Sequence, residues 1–156
     1  MQELMKTQDA PESKMGTVFC TIGTRRYAML NAKKVEVKAS VETKEVPRLG
    51  AIIKGRKATG LEIQITMTVY KCSPMFDQVI KQFKETGAMP TFDLQVSSWD
   101  DTTSIGRDSK IYNNCIIDGD VLLSLVDAEG DFIEQEISAY ADDFSIAEGY
   151  TEPSYM

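Results

Sequence analysis

The residues that could carry out chemistry are few and lie far apart in the sequence. The segment GRKATG (55–60) has two glycines five residues apart, as at the start of a phosphate-binding loop. That loop needs a lysine followed by serine or threonine, but Leu61 and Glu62 come next, and the pattern from there predicts a strand instead of a helix. A turn with exposed basic side chains therefore explains the segment better than a nucleotide site.

The densest acidic residues lie between 118 and 131 and raise the question of a calcium site. Their spacing, DGD at 118–120 and DAEGD at 127–131, does not follow the ligand order of an EF-hand loop. Aspartate and glycine are also common in hairpin turns for backbone reasons. Asp100 and Asp101 are adjacent, so we expect their side chains to point apart and not to form a catalytic pair. We predict no metal site and no cofactor.

Histidine is absent from the sequence. This removes the commonest general base, the commonest transition-metal ligand and every Ser–His or Cys–His nucleophile pair. Cys20, Cys72 and Cys115 are odd in number and widely spaced, which predicts reduced, mostly buried thiols. We therefore predict that the protein is not an enzyme.

Charge is distributed unevenly along the chain. Residues 1–117 hold all 17 Lys and Arg with 13 acids, for a net charge of +4, whereas residues 118–156 hold 11 acids and no base. The stretch 46–60 has four basic residues and no acid. The two regions could complement each other between copies, or could interleave within one folded chain. The acidic total, and a basic cluster without aromatics, disfavour nucleic-acid recognition.

Two long stretches alternate strictly between apolar and polar residues. VEVKASVETKEV (35–46) and LEIQITMTVY (61–70) each predict a half-buried strand of roughly ten to twelve residues. One face of each strand is apolar and the other is fully polar. A small domain does not need strands of this length with one wet face, so this face is a candidate functional surface.

Other elements follow from turn and capping signals. Strands 17–22 and 25–30 flank a turn at Gly23-Thr24, and a basic loop joins the long strand 33–46 to a second one that starts at Gly60. Ser73-Pro74 predicts the start of a helix that ends at Gly87 and buries Phe76, Val79, Ile80 and Phe83. Further predicted strands, separated by polar loops such as 99–110, are 91–99, 111–117, 121–126 and 132–146. Strands 111–117 and 121–126 are expected to pair as a hairpin around Asp118-Gly119-Asp120.

These elements predict a mainly β fold, a β-sandwich or barrel of about seven strands with one flanking α-helix. The expected organisation is a flexible N-terminal arm at 1–15, a single domain at 16–148 and a C-terminal tail at 149–156. The N-terminal residues have no hydrophobic stretch of signal-peptide type, and no apolar run approaches the ~20 residues of a membrane span. We therefore expect the protein to stay in the cytosol.

The order of these parts resembles the tail-tube proteins of contractile-tailed phages and of PBSX-type defective prophages. The resemblance covers roughly residues 16–146 and lies in turn and packing residues. It is carried by the hairpin Gly16 to Leu30, Thr59-Gly60 before the second long strand, Tyr70-Lys71 before the helix, Thr86-Gly87 with Pro90 and Phe92, Asn114-Cys115, and Asp143-Phe144.

The resemblance implies a virion structural subunit that forms stacked homohexameric rings around a channel for DNA passage or membrane puncture. It implies tail sheath, baseplate and tail-terminator proteins as partners, DNA only as non-specific cargo, no membrane binding by this chain, and assembly in the bacterial cytoplasm. The implied inter-ring loop comprises Arg48, Leu49, Ile52, Ile53, Lys54, Arg56 and Lys57. The implied lumen face comprises Glu36, Lys38, Ser40, Glu42, Glu62, Gln64, Thr66 and Thr68.

Three other functions fit the sequence. One is a monomeric β-barrel that binds a small ligand between its sheets, which would need an aromatic-lined, enclosed cavity. Another is the tube of a DNA-free tail-like bacteriocin or of a secretion apparatus. The third is an enzyme of a type without a recognisable motif, against which the absent histidine weighs.

Overall fold

A computed structural model of the chain describes residues 4–156. In this part of the chain there are eight strands and one α-helix, preceded by a short 3-10 turn at Thr7–Asp9. The elements are β1 (Gly16–Ile22), β2 (Arg25–Ala28), β3 (Ala32–Val46), β4 (Gly55–Tyr70), α1 (Met75–Thr86), β5 (Phe92–Trp99), β6 (Arg107–Ile117), β7 (Glu134–Ala141) and β8 (Asp143–Glu148). The prediction of a mainly β fold with one helix is confirmed, with eight strands where about seven were expected.

The strands form one antiparallel sheet in the order β2-β1-β5-β6-β7-β4-β3, and β8 pairs with β6 outside this path. Strand β6 is the branch point: Ser109 to Asn113 pair with β8, whereas Ile116 and Ile117 pair with β7. An irregularity marks the change of partner. Asn114 has a φ of 51°, and the Asp93 carboxylate accepts a hydrogen bond of 3.0 Å from its backbone N–H.

One hydrophobic core fills the space between the two arms of this sheet and the helix. Phe92 and Leu94 of β5 belong to the same buried cluster as Ile65 of β4 and Ile137 of β7. Helix α1 contributes its first turns to the cluster. The body of the domain is therefore closed around a single core, and only part of the β3–β4 pair takes part in it.

The helix ends as predicted but starts one residue later. Gly87 adopts a φ of 74° at the C-cap, a left-handed conformation that favours glycine. The helix begins at Met75, and the Ser73 hydroxyl accepts a hydrogen bond of 3.4 Å from the Met75 N–H. Phe76 and Val79 are buried, but Phe83 is 47% exposed, so the prediction that it is buried is wrong.

Three strand boundaries differ from the sequence prediction. Strand β4 begins at Gly55, five residues before the predicted start, because it continues pairing with β3 up to Val46. The last four residues of the predicted loop 99–110 belong to β6, which pairs there with β5 and β8. The predicted strand 132–146 is two strands interrupted at Asp142.

One predicted strand is absent. Residues 121–126 were expected to pair with 111–117, but this segment has no regular secondary structure. Strand β6 is already occupied by β5 on one edge and by β7 and β8 on the other. Separately, none of the helices in residues 4–156 has the length and apolarity that crossing a bilayer requires.

Candidate assembly surfaces

The β3–β4 register brings the polar residues of the two long strands onto one face. Glu36 lies opposite Thr66, Lys38 opposite Gln64, and Ser40 opposite Glu62. The apolar residues pair with one another in the same way, with Val35 opposite Met67 and Val37 opposite Ile65. The eight residues predicted for a lumen face are Glu36, Lys38, Ser40, Glu42, Glu62, Gln64, Thr66 and Thr68, and alternation along the paired strands places them all on this polar face.

The lysine on this face is paired with an acid. The Lys38 ammonium lies 2.9 Å from the Glu36 carboxylate, and Lys34 lies 3.5 Å from the same carboxylate. The hydrogen bond and charge of Lys38 lower the pKa of Glu36, and Glu36 in turn raises the pKa of Lys38. Lys38 is therefore paired with an acid, and Lys34 shares the same carboxylate.

Strand β7 extends the polar face by a third strand. Thr68 lies opposite Glu136, Thr66 opposite Ser138, and Gln64 opposite Tyr140. Sequence reasoning missed these β7 residues because the pairing of β4 with β7 joins positions about 70 residues apart. The alternation of FIEQEISAYA (132–141) was the available signal, but it does not tell which strand is the partner.

Beyond Ile63 the β3–β4 pair leaves the body of the domain and forms a two-stranded ribbon, residues 39–62. Strand β7 covers β4 only from Ile63 to Tyr70, so the ribbon has no third strand. Every residue of the ribbon is exposed except Gly55, and Leu61 on its apolar face is 60% exposed. An isolated two-stranded ribbon is only marginally stable in water, so this part of the β3–β4 pair is an uncovered surface.

The tip of the ribbon combines apolar and basic side chains. The side chains of Leu49 and Ile52 are fully exposed, and that of Ile53 is 80% exposed. The Arg48 guanidinium donates a hydrogen bond of 2.8 Å to the Ile53 carbonyl and so ties the loop across its base. The Lys54 ammonium lies 3.1 Å from the Glu45 carboxylate.

Two of the residues predicted for the inter-ring loop lie in a strand. The turn between β3 and β4 spans 47–54, and Arg56 and Lys57 are paired with Glu45 and Lys44 in the ribbon. The Arg56 guanidinium donates a hydrogen bond of 2.9 Å to the Thr43 hydroxyl. The seven predicted residues still form one continuous basic and apolar end of the ribbon.

No arrangement in the described residues suggests catalysis. No group of three or more metal-ligating side chains occurs among residues 4–156. A cleft of about 840 Å³ lies between β1, β2 and the start of β3, but it is open to solvent, and Phe19 is the one aromatic among the described residues that line it. The enclosed, aromatic-lined cavity that a ligand-binding module would need is therefore not found in this part of the chain.

The two terminal segments lie against the loop that follows β5. The Asp9 carboxylate accepts hydrogen bonds from the Ser104 backbone N–H at 2.9 Å, the Ser104 hydroxyl at 2.8 Å and the Tyr155 hydroxyl at 2.7 Å. The Asp100 carboxylate accepts one from the Glu12 N–H at 3.1 Å. We name these contacts the terminal clasp. The predicted arm includes residues 1–3, which lie outside the described residues.

The sequence model of a family described as "Phage tail tube protein" matches residues 3–148. The chain belongs to this family. The family match covers both long strands, the ribbon and the polar face, so these features are part of a tail tube domain.

Two proteins of Bacillus subtilis (strain 168) are similar to this tail tube family member over 144 residues. The "Phage-like element PBSX protein XkdM" is 25% identical, and the "Uncharacterized protein YqbM" is 24% identical. Each alignment covers 92% of this chain and 95% of the relative.

Solved structures share the fold. A chain from the anti-feeding prophage baseplate has a TM-score of 0.69 at 8% identity and covers 93% of this chain and 98% of its own. A chain from the sheath–tube complex of an extracellular contractile injection system has a TM-score of 0.62 at 16% identity and covers 92% and 98%. This tail tube domain thus has the fold found in contractile injection systems.

Proposed function

We propose that this chain is the structural subunit of a phage or prophage tail tube, in which homohexameric rings stack around a channel lined by the polar face. The register of β3, β4 and β7 is the observation that carries the proposal. It gathers the polar residues of three strands on one continuous surface, while the opposite side of the same strands packs on the core.

Ring closure accounts for the exposed edges of the sheet. The outer edge of β3 pairs with no other described strand, although it runs from Ala32 to Val46. Long uncovered edges favour uncontrolled strand pairing, and closing strands into a barrel removes them. Neighbouring copies in a ring would cover this edge and turn the polar face into a channel wall.

The charge of the polar face suits a channel that passes DNA without binding it. The predicted lumen face has three acids and one lysine; beside them, Glu136 of β7 adds a fourth acid and Lys34 of β3 a second lysine, so acids outnumber bases. Phosphates are repelled by such a wall, so DNA would pass as non-specific cargo. The same wall would also suit a DNA-free particle, for which a polar channel is enough.

The ribbon would connect successive rings. Its tip, with Arg48, Leu49, Ile52, Ile53, Lys54, Arg56 and Lys57, is the part of the ribbon farthest along the chain from the body. Sheath, baseplate and terminator proteins would contact the outside and the ends of the tube, and assembly would take place in the bacterial cytoplasm. The chain would act without chemistry of its own.

Cysteine labelling of assembled protein tests which face lines the channel. In a Cys72→Ser background, Gln64→Cys places a thiol on the polar face and Gln82→Cys places one on the exposed side of α1. A bulky polyethylene-glycol maleimide should label both variants as monomers. In tubes seen by negative-stain electron microscopy, it should label Gln82→Cys but hardly label Gln64→Cys, because only the tube ends admit it.

Equal labelling of the two cysteines in tubes would place the polar face outside the channel. The absence of rings and tubes over a full range of concentration and salt would contradict self-assembly by this chain. A small maleimide serves as the control for thiol reactivity, since it should enter the channel and label both positions.

A further inference from the structure

The connection between β6 and β7, residues 118–133, is hydrogen-bonded at its two ends and packs against the core at Val121, but its middle has no backbone hydrogen-bond partner within residues 4–156. The Asp118 N–H donates to the Ser138 carbonyl and the Lys71 N–H donates to the Ile133 carbonyl, both at 2.9 Å. Between these anchors, the backbone of residues 119–126 makes no hydrogen bond to any described residue. Buried backbone groups require partners, so this stretch stays in water until a partner arrives.

The same stretch has the sequence of a strand. VLLSLV (121–126) is a short apolar run bounded by Asp-rich turns, which predicts a buried strand. In the structure Val121 packs against the core, but Leu123 and Val126 are exposed, Val126 by 98%. Five acids flank the run within 118–131, and no base lies among them. An exposed apolar strand sequence with free backbone groups is a site for β-strand addition.

The ribbon offers a strand edge with the complementary charge. From Gly55 to Glu62 the outer edge of β4 is unpaired, because β7 covers it only from Ile63 onward. This edge has Arg56 and Lys57 and no acid before Glu62, and Lys54 precedes it. The β3 edge of the ribbon has two acids, Glu42 and Glu45, against one base, Lys44, so it fits an acidic partner less well.

We infer that residues 121–126 of one copy pair as a β-strand with the β4 edge of the ribbon, residues 55–62, of a second copy. The inference rests on the proposed function and names the surface that receives the ribbon. Asp118 and Asp120, which precede this strand, and Asp127, which follows it, would then lie near the basic residues of the ribbon. The apolar residues of both segments would leave water together.

The pairing can be tested by reversing the charge of each surface separately and then of both surfaces together. Arg56→Glu/Lys57→Glu reverses the ribbon, and Asp120→Lys/Asp127→Lys reverses the receiving segment. Each double variant should fold with an unchanged Tm and lose its tubes in electron microscopy and sedimentation. The fourfold variant should regain tubes, because the two surfaces again have opposite charges. Lys81→Glu/Lys84→Glu on the exposed side of α1 is the matched control and should assemble.

Tubes in either double variant, or a fourfold variant that folds without assembling, would overturn the pairing while leaving the tube function intact. If the wild-type protein forms no tubes, the proposed function fails and cross-linking decides the pairing separately. Ala58→Cys and Ser124→Cys proteins, both in the Cys72→Ser background, are mixed at high concentration with a short bis-maleimide. A covalent dimer only in the mixture supports the pairing, and its absence overturns it.

Discussion

Lys44 and Lys57 lie directly opposite each other on the two strands of the ribbon. Directly opposite residues of an antiparallel pair project from the same face, so the two ammonium groups repel each other. Neither lysine forms an ion pair with any residue in 4–156. The ribbon of a free subunit therefore contains an unfavourable pair that an acidic partner would relieve.

Lys57→Glu should stabilise the pairing of β3 with β4 in the ribbon of the free subunit. It replaces repulsion by attraction, and cross-strand pairs of this kind contribute ~0.2–1 kcal/mol, which slows local hydrogen exchange by up to about fivefold. Hydrogen exchange of the ribbon amides, measured by mass spectrometry on dilute monomer, checks this. Lys57→Gln should give an intermediate rate. Unchanged exchange in both variants would show that the two lysines do not repel each other in solution.

Two alanine substitutions on the same face of β4 should differ in their effect on the free energy of unfolding, because one lies in the body of the domain and the other in the ribbon. Ile65 is fully buried, whereas Leu61 is 60% exposed four residues earlier. Ile65→Ala should lower the free energy of unfolding by about 2–5 kcal/mol, and Leu61→Ala should change it by less than about 0.5 kcal/mol. Urea unfolding of the monomer measures both. A large loss in Leu61→Ala would mean that the ribbon packs on the body.

The terminal clasp should make stability depend on pH through Asp9. Hydrogen bonds from the Ser104 backbone, and then from Tyr155 and the Ser104 hydroxyl, hold the pKa of Asp9 below its ordinary value. A lowered folded-state pKa gives stability that is present above the unfolded pKa of about 3.9 and is lost as pH falls through the lower folded value. Asp9→Asn removes this contribution.

The difference in Tm between wild type and Asp9→Asn should therefore be largest near neutral pH and should shrink below about pH 4. Asp100, whose pKa is also lowered, first by Thr102, is present in both proteins and cancels in the comparison. A difference that does not vary with pH would indicate that the Asp9 carboxylate is not held by the clasp.

The three thiols should differ sharply in reactivity. Burial raises the pKa of Cys20 and of Cys115 to about 12, whereas Cys72 is exposed. The thiolate is the reactive form, so a disulfide reagent at pH 8 should titrate Cys72 quickly and the other two only after unfolding. Cys72→Ser should abolish the fast phase. A second fast thiol in that variant would mean that the core opens readily.

The sequence predicts the local features of this protein better than the pairing of distant strands. Alternation in 35–46 and 61–70 separates the two faces correctly because each residue's face depends only on its neighbours. The position of Glu136 and Ser138 on the polar face depends on β7 pairing with β4, which no local pattern encodes. The start of β4 was also missed, because glycines at 55 and 60 predict a loop, whereas hydrogen bonds to β3 extend the strand back to Gly55.

Residues 121–126 show a different limit. The pattern of VLLSLV is that of a strand, and the chain provides no free edge beside it. A sequence can specify a strand whose partner belongs to another molecule, and single-chain reasoning then assigns it the wrong neighbour. The terminal clasp was missed for a third reason: a polar stretch such as 1–15 gives no sign of the one buried aspartate that anchors it.

The ribbon and the segment 118–133 are different surfaces of one chain, so a contact between them gives the assembly a direction. A stack grown through this contact has two chemically unlike ends. One end presents unpaired ribbons with cationic, apolar tips. The other presents anionic segments 118–133 that have no ribbon paired with them. Whatever stops growth at the first end has to offer an acidic acceptor, whereas the component that starts or blocks growth at the second has to offer a basic strand. A single capping protein could not serve both.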